Sequence, residues 1–230
     1  MNYKNILPGI FLSRPNRFIA HVQIGGEICV CHLKNTGRCR ELLVPGAKVY
    51  VEESENPARK TKYDLIAVEK RNPPLGDLLI NMDSQAPNKA AQEFLPKLLP
   101  GLTLLRPETV WGNSRFDFYA KTNTGEKWFL EVKGVTLEEN GVARFPDAPT
   151  ERGAKHLLEL CRCVQEGYHA AVLFVIQMKG ISRFEPNTAT DPKFAKALRA
   201  AADHGVKIFA YDCLVTPDSM TVDALVPINL

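Results

Sequence analysis

The hydrophobic period of this chain changes once, over residues 83–89, and that change divides it into two different kinds of structure. Before it, short strand-like runs are separated by turn signals. Arg17 to Ile24 alternates apolar and polar residues, and Gly25-Gly26 makes a hairpin turn into Glu27–Leu33. Pro45-Gly46 opens a strand over Ala47–Glu52, and Lys62–Lys70 and Leu78–Met82 supply a fourth and a fifth. Five short strands without a long helix predict a small closed or Greek-key barrel, of which the OB-fold is the commonest at this size.

Beyond the break the pattern is mixed α/β. Ala90 to Leu99 reads as a helix stopped by Pro100-Gly101. Strands follow at Leu102–Leu105, Phe116–Lys121 and Trp128–Lys133, the last two joined by a turn at 122–125. A helix from about Glu151 to Glu166 carries the apolar stripe Leu157, Leu160, Cys161 and Val164. Ala171–Gln177 is the kind of apolar run that is buried on both faces of a sheet. A helix at Asp191–Asp203, a strand at Lys207–Tyr211 and an edge strand near Met220–Val222 complete the order. The chain is therefore expected to hold an OB-fold-like nucleic-acid-binding domain over 1–84 and an α/β (α+β) domain over 85–230.

Composition excludes several classes. With 45% hydrophobic and 24% charged residues the chain is that of an ordinary folded protein. No apolar run approaches the roughly 20 residues of a membrane helix, and the first residues lack a signal-peptide core, so a cytoplasmic protein with no membrane partner is expected. Cys29, Cys31 and Cys39 with His32 do not have structural-zinc spacing, and the six cysteines are expected to be reduced, partly buried thiols. The formal charge of +3 lies wholly in residues 1–84, which hold 12 Lys or Arg against 9 Asp or Glu. This permits phosphate binding without demanding it.

The chemistry concentrates on Asp117 and, fourteen positions later, Glu131-Val132-Lys133. Residues i and i+2 of a strand share a side, so Glu131 and Lys133 project together, with Asp117 on the neighbouring hairpin strand. Clustered carboxylates repel unless a cation sits among them, and oxygen ligands suit Mg²⁺ or Mn²⁺. Such an ion polarises a phosphate and acidifies a bound water. Lys133 then either orients or deprotonates that water, or stabilises the charge of the transition state. Glu93 is the only acidic residue of the preceding helix and is the candidate third metal ligand. On the later helix Arg152, Lys155, His156 and Glu159 form one polar face. Arg152 and Lys155 are expected on a phosphate, and His156 or Glu159 on a metal-bound water.

This motif, in the order helix, three-stranded meander, helix, strand, resembles the PD-(D/E)xK restriction-endonuclease-like superfamily. Longer phrases are more specific: Arg14-Pro15-Asn16-Arg17-Phe18, Asn35-Thr36-Gly37-Arg38-Cys39, Ser114-Arg115-Phe116-Asp117-Phe118, Glu131-Val132-Lys133, the run from Phe145 to Gly153, and Lys155-His156-Leu157. Together they resemble the sugar fermentation stimulation protein A (SfsA) family from about residue 10 to the C-terminus. The resemblance implies an N-terminal OB-like domain and a C-terminal PD-(D/E)xK-like domain. It also implies non-specific DNA binding and a role in regulating sugar (maltose) metabolism. Asp117, Glu131 and Lys133 match the superfamily's metal and catalytic positions, Glu93 is placed by element order alone, and Phe116 stands where the superfamily's name has Pro.

In the barrel, Arg14 and Arg17 flank the first strand, Arg38 and Arg40 lie in a loop with Gly37, and Arg59, Lys60 and Lys62 precede the fourth strand. These are the expected nucleic-acid contacts. Two readings stay open: a Mg²⁺-dependent phosphodiesterase on DNA, single-stranded or branched substrates included, and a DNA-binding regulator that keeps the nuclease fold as scaffold. A third, an enzyme acting on a small sugar phosphate or nucleotide, has no motif behind it. Restriction-like nucleases often dimerise, so a homodimer is a further option, although no apolar stripe locates its interface.

Overall fold

The computed structural model describes residues 1–35, 37–71 and 76–230. Thr36, within the Asn35–Cys39 phrase, lies outside the described residues. Two sheets follow one another along the chain. The first contains β1 (Ile6–Asn16), β2 (Ile19–Ile24), β3 (Glu27–Leu33), β4 (Lys48–Glu53), β5 (Tyr63–Lys70) and β6 (Leu78–Asn81). It runs β3-β2-β1-β4-β5-β6, and a parallel pairing of β3 with β5 closes the first five strands into a barrel.

The barrel is as expected, but its membership is not. Leu78–Asn81 extends the sheet from β5 rather than completing the closure. The missing member is β1, which pairs with β4 through Ile6–Ile10 and with β2 from Ile10 onward. Pro8, Gly9 and Pro15 hide it, since Pro and Gly ordinarily interrupt strands. The strand bends at two register shifts and so serves two partners in succession.

The second sheet, β15-β14-β12-β9-β8-β7, has helices on both faces. Its meander is β7 (Leu102–Trp111), β8 (Ser114–Thr122) and β9 (Lys127–Val135), preceded by α1 (Ala86–Leu98). A parallel neighbour cannot be reached by a tight turn, so α2 (Glu151–Gln165) carries the chain to β12 (His169–Ile176). In the same way α3 (Pro192–Asp203) leads to β14 (Lys207–Thr216), and β15 (Ser219–Leu225) returns antiparallel. Three strands too short to read from sequence, β10 (Leu137–Glu139), β11 (Val142–Phe145) and β13 (Arg183–Pro186), form a separate small sheet.

Helix α1 begins four residues before the expected Ala90. Pro87 stands in its first turn, where a missing N–H costs nothing, and Asp83 Oδ1 accepts the Gln85 N–H at 2.9 Å. Helix α2 starts at Thr150, whose hydroxyl accepts the Gly153 N–H at 3.1 Å, a cap of about 1 kcal/mol. Two apolar layers result. One lies between the sheet and α1 with Phe118, Leu130, Val132 and Leu173, the other between the sheet and α2 with Phe116, Phe129, Leu157 and Phe174.

The seam between the sheets is polar and buried. Gln177, at the end of β12, donates to the Asn81 carbonyl (3.0 Å), Asn81 Oδ1 (3.1 Å) and the Asp83 carbonyl (3.2 Å), and its own carbonyl accepts the Asn81 N–H. A Cβ at Gly134 would meet Gln177 Oε1 at 2.5 Å and Pro87 at 2.6 Å, so β9 and α1 close on the seam only with glycine there.

Candidate active site and nucleic-acid surfaces

The β8–β9 ladder is regular from Lys121↔Lys127 to Phe118↔Leu130 and then stops. Phe118 belongs to the α1 layer and Phe116 to the α2 layer, so β8 turns over at Asp117. At that point the Asp117 carboxylate replaces the ladder. Its Oδ2 accepts the Val132 N–H at 2.7 Å, and its Oδ1 accepts from the Asn88 amide of α1 at 2.8 Å. Strand β9 continues straight and puts Glu131 and Lys133 on the α2 side, as the period of two requires.

Glu131 is buried and its two oxygens differ. Oε1 accepts from Lys133 Nζ at 2.6 Å and from His156 Nδ1 at 2.5 Å. Oε2 is fully buried without a hydrogen-bond partner. Arg152 Nε donates to His156 Nε2 at 3.4 Å, which assigns the imidazole proton to Nδ1 and aims it at Glu131. Burial works against ionisation of Glu131, yet the His156 hydrogen bond and the Lys133 charge hold its carboxyl below the ordinary range. Asp117 moves the other way. Burial first, and then the charge of Glu131, raise it, against the opposing pull of the Val132 N–H, Asn88 and Lys133.

An unpartnered buried carboxylate oxygen beside a second carboxylate is a donor set that fits a hard divalent cation. Mg²⁺ is often held by one or two carboxylates and keeps several waters. Among the described residues no three His, Cys, Asp or Glu side chains converge as a ligand set. The protein's share of such a site is therefore Asp117 and Glu131. Glu93 is not brought to them. It lies five residues beyond Asn88, on a different side of α1, and its Oε2 pairs with the Met1 ammonium at 2.7 Å. Sequence order placed a carboxylate where the fold places the Asn88 amide.

His156 and Glu159, expected on one polar face of α2, are both buried. The meander covers them: His156 lies against Glu131 of β9 and the Phe116 ring of β8, and Glu159 sits beside Gly112 of the β7–β8 turn, while α3 packs elsewhere on α2, with Phe194 close to Gly153. Glu159 pairs with Arg162 at 2.7 Å rather than reaching Glu131. Lys155 Nζ donates to the Asn113 carbonyl at 3.1 Å, while Arg152 is exposed beside His156.

The basic residues of the barrel separate into two groups. Arg14 donates to the carbonyls of Gly37, Arg38, Arg17 and Asn35 and so builds the loop, at the wall of a cleft that it also lines. Arg59 grips buried Asp64 through two contacts of 2.8 and 2.6 Å, and Lys62 pairs with Glu53 at 2.7 Å. Lys34, which sequence reading passed over, joins Asp64 at 3.1 Å and Asp83 at 3.6 Å. Of the expected contacts, the exposed residues that form no ion pair among the described residues are Arg17, Arg38, Arg40 and Lys60. The first three line the same cleft, of about 540 Å³, that Ala148, from the loop before α2, helps to close. That loop is latched to the barrel: Arg38 N–H donates to Asp147 Oδ2 at 3.0 Å, and a Cβ at Gly37 would meet the same oxygen at 2.4 Å. Cys31 and Cys39 are buried with thiols pushed up to about 12 by that burial, and His32 turns to Asp64 at 3.1 Å. No helix is long and apolar enough to cross a membrane among the described residues.

The same architecture recurs in known proteins. A model described as the SfsA N-terminal OB domain matches residues 12–78, and one described as the sugar fermentation stimulation protein RE domain matches residues 85–219. A sugar fermentation stimulation protein homolog of Clostridium beijerinckii is 54% identical, covering 100% of both chains. One from Desulfitobacterium hafniense is 54% identical over 100% of this chain and 99% of its own. The solved structure of Pyrococcus furiosus SfsA in complex with Ca²⁺ aligns with a TM-score of 0.84 at 28% identity, covering 100% of this chain and 98% of that one. With its barrel and its α/β sheet each matched, and relatives aligned end to end, the chain belongs to the sugar fermentation stimulation protein family.

Proposed function

We propose that the protein binds DNA and hydrolyses phosphodiester bonds at Asp117, Glu131 and Lys133 with Mg²⁺ or Mn²⁺. The observation that carries this reading is the asymmetry of Glu131. Lys133 and His156 hold one oxygen, and the other is buried, ionised and without a partner beside Asp117. A cation bound there would supply Lewis-acid activation of the phosphate. The chain's own groups do the rest. The Val132 N–H and Asn88 fix Asp117, His156 fixes Glu131, and the Lys133 ammonium stands where negative charge develops on the phosphate. A relative solved with Ca²⁺, itself an oxygen-seeking ion, supports a hard-metal site in this family.

A second reading is favoured by the closed state of the same groups. Lys133 and His156 are both spent on Glu131, and the described residues offer no third carboxylate. This suits a DNA-binding regulator that keeps the fold, which agrees with a family named for sugar fermentation. One assay separates the two. Labelled single-stranded, duplex and branched DNA are incubated with wild type and Lys133→Ala in Mg²⁺, Mn²⁺ or EDTA. The enzyme reading expects metal-dependent cleavage that falls at least about 100-fold in the variant. Intact DNA under every condition, with binding preserved, would leave the regulator.

A further inference from the structure

Strands β8 and β9 continue past the carboxylates, and the face of the sheet that carries Glu131 there holds a different chemistry. Moving along β8 from Asp117 brings Tyr119 and then Lys121, and along β9 from Glu131 brings Phe129 and then Lys127. Cross-strand pairing aligns them: Tyr119 is opposite Phe129 and Lys121 opposite Lys127, while Arg106 of β7 pairs with Tyr119 from the other side. Together with Tyr168, which follows α2, these side chains line a groove of about 300 Å³. Phe129 is its buried floor, with the Tyr119 ring centred 5.1 Å and the Tyr168 ring 5.2 Å from it.

The three cations of this groove form no ion pair among the described residues. The nearby carboxylates are engaged elsewhere, Glu126 with His169 and Glu108 with Arg115. Unpaired cations around half-exposed aromatic rings fit a ligand that offers anionic and flat apolar surface in alternation. A polynucleotide strand does so, and only an unpaired one can lay its bases on a ring, because duplex bases are already stacked inside the helix. Four residues of strand separate Lys121 from Asp117, about 13 Å, or a few nucleotides of extended chain.

We infer that this groove holds a single strand of nucleic acid, its phosphates on Arg106, Lys121 and Lys127 and a base on Tyr119, in line with the Asp117–Glu131 pair. The inference rests on the proposed binding of nucleic acid and names the strand form and path that the site accepts. It does not need cleavage, so it is tested in EDTA by fluorescence anisotropy with labelled oligothymidine and a duplex of equal length. Tyr119→Ala is expected to weaken oligothymidine roughly tenfold and leave the duplex within about twofold, while Tyr119→Phe behaves as wild type. Lys121→Ala with Lys127→Ala, which leaves the aromatic floor in place, is expected to lower the log–log salt slope for oligothymidine by about 1.4. Unchanged oligothymidine binding in both the Tyr119→Ala and the double lysine variant would overturn the groove and leave DNA binding standing. Equal losses on both strand forms would overturn the single-strand assignment. Failure of the wild type to bind any nucleic acid would remove the inference together with the reading beneath it.

Discussion

In the barrel, Arg14 reaches four backbone carbonyls and Arg59 grips buried Asp64; on the larger sheet, Arg106, Lys121 and Lys127 make no ion pair among the described residues. The barrel has the excess of positive charge, yet part of it is internal structure. The sheet's domain has none in excess but leaves three cations beside an aromatic floor. The contrast teaches that the charge available to a ligand is what the fold has not already used. A loop with few apolar side chains, such as the one holding Asn35, Gly37 and Arg38, needs Arg14 to satisfy carbonyls that would otherwise be unpaired near the core. A β-strand satisfies its own backbone, and its side chains stay free.

The contrast can be broken most directly at Arg14. Arg14→Ala is expected to cost about 3 kcal/mol in urea unfolding, since several charge-assisted hydrogen bonds go at once. An unchanged unfolding curve combined with lost DNA affinity would instead place Arg14 among the ligand contacts.

A somewhat smaller effect is expected from acid. Burial alone would raise the Asp64 carboxyl, but Arg59 and Lys34 bring it down to about 2, below its ordinary value of 3.8. A group whose pKa is depressed by folding stabilises the fold above its unfolded pKa and loses that contribution as pH falls through the folded one. The barrel should therefore lose about 2 kcal/mol between pH 4 and pH 2, and Asp64→Asn should remove that component of the pH profile. A variant as acid-sensitive as wild type would mean that Arg59 and Lys34 are not anchored there.

The smallest change in stability belongs to the exposed cleft. Arg38→Ala with Arg40→Ala should leave stability within about 0.5 kcal/mol while reducing the salt slope for duplex DNA by about 1.8. A fall in stability without a change in slope would move these two arginines into the structural group with Arg14.

Much of the architecture was legible in the sequence, and what was hidden shares a cause. Alternation marked β2, turn signals set off β3 to β6, and a continuous apolar run marked β12, because a half-buried strand and a fully buried one leave different periods. Strand β1 was masked by Pro8, Gly9 and Pro15, yet it lies between β2 and β4. The first turn of α1 was masked by Pro87. That omission reached the site, because Asn88 lies in the missing turn, and Glu93 was assigned the place Asn88 occupies beside Asp117. Glu131 and Lys133 could be placed on one side by period alone. That one Glu131 oxygen is held twice and the other not at all depends on His156, and burial of a polar helix face against the meander leaves no periodic trace. Arg14 was equally opaque, since its partners are carbonyls that every residue possesses.

The Gln177 amide, bonded to Asn81 and Asp83, gives the two halves a fixed spacing. A tethered pair of modules adapts to whatever length of ligand lies between them. Two modules sewn together at a buried amide would act as a gauge: the interval between the barrel cleft and the carboxylates is set in advance, and on the proposed function a polymer laid across both would be measured against it.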